Sequence, residues 1–584
     1  MINLSQIKSP ADIKAMSLDQ LEELCAALRE KLLDKLAAHG GHVGPNLGFL
    51  EATVALHYVF DAPRDHIVFD VSHQTYVHKM LTGRMQAFTE PEHYDDVTGF
   101  TCPRESEYDI FEIGHTSTGV SLASGIAKAR DLAGGRENVV AVVGDGSLSG
   151  GEAFEGLNYA ATLGSNFIVV VNDNDMSIAE NHGGLYADLR LLRNTNGEGE
   201  PNFFRSIGFA YRFVKYGNDI RSLVKAFSEV KDRKTPVVVH VCTQKGMGYA
   251  PAEAQREHFH YTGPFDIPTG EPRKISEALS WADLFHDTMA EMMAENPEVA
   301  VITAGTPEAI GFDKEQRKAA GRQFIDVGIA EQQAVALASG MAKRGARPVF
   351  AVISSFLQRA YDQLSQDVAI NNTPVVLNIG ATGIFSLNDT THLGWFDIPL
   401  VANIPNWVFL APTCAEEYRA MLRWAVSQTE HPVAVRQPGT SVWNSGRQFP
   451  EDYSQLNKSE LYHRGKDVAI IAAGAMFPFA LQASEILTTK GIDATIINPV
   501  FLSGLDTEML ESLKKDHKTV MTLEDGALDG GYGEKVARFF GDSDIKVLCR
   551  GIAKEFLDEY SASQLLADCR MTPQAIADDL AAEI

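Results

Sequence analysis

Val139-Val-Ala-Val-Val-Gly-Asp-Gly146 and, one amphipathic stretch later, Phe167-Ile-Val-Val-Val-Asn-Asp-Asn174 decide the fold of this chain. Each is a short, unbroken apolar run rich in β-branched residues that stops at polar turn formers, the pattern of a strand buried on both faces. Residues 151–163 between them and 118–132 before them have helical periodicity. With a third run at Val237–Val241, strands and helices alternate over residues 110–245, which predicts a doubly wound α/β sheet. In such a sheet ligands bind at the carboxyl ends of the strands, where Gly144-Asp145-Gly146 and Asn172-Asp173-Asn174 fall.

Working outward, Ser17-Leu-Asp-Gln20 has the form of a capping box and precedes Leu21, Leu24, Cys25, Leu28 and Leu32 at helical spacing. Pro264–Lys274 is rich in proline and glycine and reads as a linker. A second α/β unit is expected from near Ile275, with strands at Val299–Thr303, Pro348–Ile353 and Pro374–Ile379. The polar stretch Asn444–Lys466 leads to a third unit opening with Asp467-Val-Ala-Ile-Ile-Ala-Ala-Gly474. The expectation is three doubly wound α/β domains, over 1–270, 275–445 and 460–584.

The 584 residues carry a net charge of −26, which disfavours nucleic-acid binding, since that needs a basic face. No apolar run approaches the ~20 residues of a membrane span, and MINLSQIKSP lacks the basic-then-apolar layout of a signal peptide. Six scattered cysteines form no CxxC, which points away from zinc and disulfide frameworks. We expect a reduced, cytoplasmic protein with small-molecule partners, no nucleic acid and no membrane.

Asp145 and Asn174 are 29 positions apart, one strand–helix–strand crossover, so their side-chain oxygens can converge on one point. A hard cation such as Mg²⁺ takes oxygen ligands and usually brings phosphates with it. The glycines allow close backbone approach, and the helix that follows offers N–H groups to phosphate. Either turn alone is ordinary strand-end chemistry; the pair at two strand ends is not.

This pairing resembles the thiamine diphosphate (ThDP) motif, Gly-Asp-Gly followed one crossover later by asparagine. The resemblance makes Asp145, Asn174 and the backbone carbonyl of Met176 the Mg²⁺ ligands, and implies that Gly144, Gly146, Ser147 and Asn174 hold the diphosphate end. Glu331, in Ile329-Ala-Glu-Gln332, resembles the glutamate that hydrogen-bonds N1′ of the aminopyrimidine, and Phe356 the aromatic that stacks on that ring. A helix-start glutamate could equally serve the helix dipole, and Phe356 the core.

The likeness extends through Gly41-His42-Val43, Phe69-Asp-Val-Ser-His73, Gly114-His115-Thr-Ser-Thr118, Lys245-Gly-Met-Gly-Tyr249 and Phe259-His260. In order and spacing the chain resembles the 1-deoxy-D-xylulose-5-phosphate synthase family of the transketolase superfamily, most weakly over 185–235 and the last hundred residues. That resemblance implies three α/β domains of transketolase type in a homodimer, with ThDP between the first two domains. It implies a carboligase that decarboxylates pyruvate and passes the two-carbon unit to an aldehyde, in the family glyceraldehyde 3-phosphate. Glu331, His42, His260, His392 and His73 match catalytic positions, and His73, His115, Lys245, Glu331 and Phe356 cofactor-binding ones. An imidazole near neutral pKa suits both carboxylate binding and proton transfer.

The acceptor side departs from the family. Gly380-Ala381-Thr382-Gly383 places Ala381 where the family has arginine, and Gly439 in Arg436-Gln-Pro-Gly-Thr440 replaces a second arginine. Ile353 stands for a tyrosine, Gln333 for a histidine, and Thr89–Asp96 is acidic where the family is basic. The segment after Asn181 is shortened, so the site is expected to be less covered. With both phosphate-binding arginines gone, Arg359, Arg436 or Arg104 would have to substitute, and His42, His260, Arg359, Arg436 and His392 are the expected substrate contacts. The alternative is a transketolase-like two-carbon transfer to a different, unphosphorylated aldehyde; a non-catalytic ThDP-binding relative has no residue in its favour.

Overall fold

A computed structural model describes residues 2–274 and 278–584, so the unit start expected near Ile275 lies outside the described residues. The chain divides into two compact units, Met1–Glu277 with Gly328–Ala330, and Ala278–Val327 with Glu331–Ile584.

The first unit is built on five parallel strands, β1 (His66–Phe69), β2 (Val139–Gly144), β3 (Ile168–Asp173), β4 (Ala210–Val214) and β5 (Val237–Cys242), in the order β1-β2-β3-β5-β4. Alternation of side chains across a strand sends Val140, Val142, Ile168 and Val170 to one face. There they pack with the helices Leu18–His39, Val43–Val59 and Ile220–Val230. Val139, Ala141, Val143, Val169 and Val171 go to the other face, against Gly119–Leu132, Gly151–Ala160 and Leu185–Asn194. Both faces are covered, which is why these strands read as unbroken apolar runs. The capping box is formed: Gln20 N donates to Ser17 Oγ at 3.2 Å and Ser17 N to Gln20 Oε1 at 2.8 Å. Gly144 pairs in register with Asn172, so the two polar turns leave the sheet side by side.

The second unit holds two sheets. Six parallel strands, β6 (Val299–Thr303), β7 (Phe324–Asp326), β8 (Arg347–Ile353), β9 (Val376–Gly380), β10 (Val408–Leu410) and β11 (Val433–Arg436), run in the order β10-β11-β9-β8-β6-β7. The other five are β12 (Glu460–His463), β13 (Asp467–Ala472), β14 (Thr495–Asn498), β15 (His517–Ala527) and β16 (Lys546–Ile552), ordered β12-β14-β13-β15-β16. Only the edge strand β12 is antiparallel. One core cluster takes Phe350, Leu377 and Ala434 from the first of these sheets together with Ile471, Ile497 and Val520 from the second. The described residues thus form three parallel-rich α/β sheets, consistent with the expected fold class of three α/β domains. Among the described residues no helix is long and apolar enough to cross a membrane.

Candidate active site

In the first unit Asp145 follows β2 and is almost wholly buried. Its Oδ1 accepts from Gly146 N at 3.0 Å, and its Oδ2 from Met176 N at 3.1 Å and Asn181 Nδ2 at 2.8 Å. Burial, reinforced by the charge of Asp173, holds this carboxyl well above the usual range. Asn174 Oδ1, Asn181 Oδ1 and Ser177 Oγ are buried and have no hydrogen-bond partner among the described residues. A buried carboxyl that makes no ion pair among the described residues, with two amide oxygens that have no donor there, offers oxygen ligands only, which suits Mg²⁺ and not a softer metal. A Cβ on Gly146 would lie 2.9 Å from the Ser177 backbone, so the close approach of the two turns requires glycine there.

Lys245, after β5, is buried and donates Nζ to Ser177 O at 2.6 Å. Burial lowers its pKa to about 7, with Asp145 acting in the opposite sense. A cation this dehydrated is poised to gain from an anionic ligand. Ser117 Oγ donates to Ser147 O at 2.8 Å, tying the segment that carries His115 to the Asp145 turn. The residues therefore fit a Mg²⁺–diphosphate group.

Three histidines gather in the same unit. The ring centroids of His42 and His73 are 5.1 Å apart, those of His73 and His260 5.2 Å, and those of His42 and His260 5.8 Å. Phe100 and Tyr261 pack on His42 at 5.8 and 5.0 Å. Burial, and then the neighbouring charges of Lys245, His73 and His42, push the His260 pKa well below its ordinary value, so this imidazole is neutral. His73 is reached through a strained turn: Ser72 N donates to Asp70 O at 2.6 Å while Val71 takes φ +61°, a region in which a β-branched residue costs roughly 1–3 kcal/mol. Asp70 anchors that turn by accepting from Gly119 N at 2.7 Å and Ser117 N at 2.9 Å.

In the second unit Glu331 begins the helix Glu331–Lys343 and is buried. Burial raises its pKa and Arg359, 3.2 Å away, opposes the rise. Phe356, just after β8, lies edge-on to His392 with centroids 5.4 Å apart. His392 Nδ1 is 3.0 Å from Asp389 Oδ1 and 2.8 Å from Thr391 Oγ1. Burial works to raise the Asp389 pKa, and the hydrogen bond from His392 with its charge outweighs it and holds the carboxyl low.

The three candidate arginines all have carboxylate partners. Besides the Arg359–Glu331 pair, Arg436 is fully buried between Asp397 (Nε to Oδ2 2.7 Å) and Asp525, and Arg104 sits at the surface with Glu112 at 3.0 Å. Ala381 adopts φ +49°, and a Cβ on Gly439 would stand 2.2 Å from the Thr382 carbonyl oxygen, so no side chain fits at 439 without moving backbone. Sequence reasoning overlooked Asn181, which donates to Asp145, and Tyr186, whose hydroxyl donates to the carbonyls of Asp145 and Gly146 at 3.1 and 3.3 Å. An Asn-His-Gly-Gly turn seven residues after Asn174 is the one local signal for Asn181. The shortened segment thus carries a helix that touches the site.

The buried oxygen ligand set at paired strand ends and the dehydrated lysine suit a metal-bound diphosphate, and similarity to known proteins gives the enzyme class: this is a ThDP-dependent transferase of transketolase type. Family profiles agree along the chain, with 1-deoxy-D-xylulose-5-phosphate synthase matching residues 4–200, the transketolase pyrimidine binding domain 277–442 and the transketolase C-terminal domain 457–576. The 1-deoxy-D-xylulose-5-phosphate synthase of Pelotomaculum thermopropionicum is 38 % identical, over 98 % of this chain and 96 % of its own length. That of Symbiobacterium thermophilum is 39 % identical, over 99 % and 94 %. The chain belongs to the 1-deoxy-D-xylulose-5-phosphate synthase family. A solved transketolase from Leishmania mexicana is a more distant likeness, 14 % identical over 97 % of each chain with a TM-score of 0.45.

Proposed function

We propose that this protein, with ThDP and Mg²⁺ bound, decarboxylates pyruvate and joins the remaining two-carbon unit to an aldehyde, glyceraldehyde 3-phosphate being the acceptor its family implies. The observation that carries the reading is the buried set of Asp145, Asn174 and Asn181 oxygens beside Lys245. In this reading Asp145, Asn174 and the Met176 carbonyl would hold Mg²⁺, and Gly144, Gly146, Ser147, His115 and Lys245 would receive the diphosphate. Glu331 would hydrogen-bond the aminopyrimidine and Phe356 would pack against it, as their positions in the family motifs imply. When bound, ThDP supplies the electron sink that decarboxylation of a 2-keto acid requires.

The chain's own residues do the rest. His42, His73 and His260 surround one space with imidazoles, and a neutral imidazole can donate to a carboxylate with one nitrogen and take or return a proton with the other. For His260 the free nitrogen is Nδ1, which is buried without a hydrogen-bond partner among the described residues. His392, held through Nδ1 by Asp389, can present Nε2 to a substrate oxygen. Assembly as a homodimer and residence in a reducing cytoplasm, where six free cysteines are stable, belong to the same reading.

A second reading is favoured by the acceptor-side residues. Arg359 and Arg436 already hold carboxylates, Ala381 is uncharged and position 439 admits no side chain, so an unphosphorylated aldehyde would meet fewer unmet demands there. The deciding experiment is CO₂ release from pyruvate by protein loaded with ThDP and Mg²⁺, with and without glyceraldehyde 3-phosphate. Release that rises with the phosphate and yields the matching ketose supports the first reading. Release indifferent to it supports the second, and no release rejects pyruvate as donor.

A further inference from the structure

The helix Leu185–Asn194 touches both strand-end turns of the first unit. Near its start, Tyr186 donates to the carbonyls of Asp145 and Gly146 at 3.1 and 3.3 Å. Two helical turns later on the same face, Arg193 Nη1 contacts both carboxylate oxygens of Asp173 at 2.6 and 2.8 Å, and Nη2 contacts Asp175 Oδ1 at 2.6 Å. One guanidinium therefore grips the residues on either side of Asn174. Asp175 has φ +60°, a left-handed conformation that aspartate adopts more readily than most residues with a Cβ, and its N–H is held by Asp173 Oδ1 at 3.1 Å. The next N–H, that of Met176, reaches Asp145 Oδ2. Behind Asp173, His240 Nε2 lies 2.7 Å from Oδ2 and its Nδ1 2.7 Å from the Tyr211 hydroxyl, so the clamp is itself backed.

Asp173, His240 and Cys242 bring three possible ligand atoms within 4.8 Å of one another, which raises the question of a second metal. Arg193 already neutralises Asp173 with two hydrogen bonds, and a cation placed there would have to displace it. The cluster works as a clamp.

We propose that Arg193 and Tyr186 are positioning residues for the Mg²⁺ site: the helix between them fixes the Asp145 turn and the Asn174 turn at one separation, so that their oxygens are aimed before any cation arrives. This inference rests on the assignment of Asp145 and Asn174 as Mg²⁺ ligands. A ligand that must first be ordered forfeits affinity, and partners that orient metal ligands typically account for about 10–100-fold in metal binding.

The test uses the full-length, ThDP-loaded protein and Mn²⁺ as a paramagnetic probe, with bound and free ion distinguished by electron paramagnetic resonance. Arg193→Gln is expected to weaken Mn²⁺ binding about 10-fold or more. Arg193→Lys keeps the charge without the two-pronged fork and should fall between this variant and wild type. Asp175→Asn alters only the outer, half-exposed arm of the clamp, so the fold is retained, and a loss of about two- to fivefold is expected. Tyr186→Phe removes one hydroxyl and should weaken binding in the same direction. If Arg193→Lys and Asp175→Asn bind Mn²⁺ as wild type does, the inference is overturned, even should Arg193→Gln fail to fold. If wild-type protein itself binds no Mn²⁺ with ThDP present, the ligand assignment falls, and this inference with it.

Discussion

Asp145 is buried, hydrogen-bonded on both oxygens and in no ion pair among the described residues, and burial outweighs the more distant charge of Lys245, an imbalance that a cation would relieve. Asp145→Ala should weaken Mg²⁺-dependent ThDP binding by at least about 100-fold, the upper end of what outer partners alone contribute. Calorimetric titration with ThDP at fixed Mg²⁺ checks this, and unchanged affinity would remove Asp145 from the ligand set. On the acceptor side the two positions that lack arginine behave differently. Ala381 already carries a Cβ at φ +49°, so Ala381→Arg adds no new backbone cost. It should raise kcat/KM for glyceraldehyde 3-phosphate by about tenfold, corresponding to ~1.4 kcal/mol from one charge-assisted contact. Gly439→Arg meets the Thr382 carbonyl at 2.2 Å and should cost about 1–3 kcal/mol or more of stability, seen as a lower Tm with no gain in phosphate use.

At the scale of elements, a buried chain links helix Val43–Val59 to the loop bearing Phe100. His57 Nε2 lies 2.9 Å from His78 Nδ1, and His78 Nε2 lies 2.7 Å from Asp109, which Arg84 also holds. Burial is the leading cause that drives both imidazoles below their ordinary 6.5, so both are neutral in the folded protein. As pH falls the unfolded chain takes up these protons first. Their contribution is therefore complete above about pH 6.5 and is lost as pH drops below that value toward the folded-state pKa. Scanning calorimetry should show Tm falling between pH 7 and pH 5, and His57→Gln, which keeps a donor without the titration, should flatten that fall. An equally steep decline in the variant would locate the acid sensitivity elsewhere. Elements were legible in proportion to how local their causes are. The runs ending at Val143, Val171 and Val241 gave themselves away because burial on both faces leaves no polar position in the strand. Asp145 and Asn174 were legible because strand ends are where a parallel sheet exposes its chemistry. Arg193 was not, since its partners lie across a helix and a turn. Nor was the engagement of Arg436, whose carboxylates are 39 and 89 positions away along the chain.

The whole molecule carries a net charge of −26, while pyruvate and a phosphorylated aldehyde are anions. Long-range repulsion slows their approach, and salt screens it over a Debye length of ~8–10 Å near physiological ionic strength. We expect kcat/KM for pyruvate to rise as NaCl increases from ~20 to ~150 mM. A fall with salt would mean that locally focused positive groups such as Lys245 dominate the encounter.

The core shared by the last two sheets bears on how this polypeptide can be divided. Phe350 and Leu377 belong to the same buried cluster as Ile471, Ile497 and Val520, so one face of each sheet shares its interior with the other, while the opposite faces are buried in clusters centred on each sheet's own strands. A gene interrupted in the polar stretch between residues 444 and 466 would encode two polypeptides, each displaying half of an unfinished interior. Such halves would survive only by co-translation and prompt reassociation.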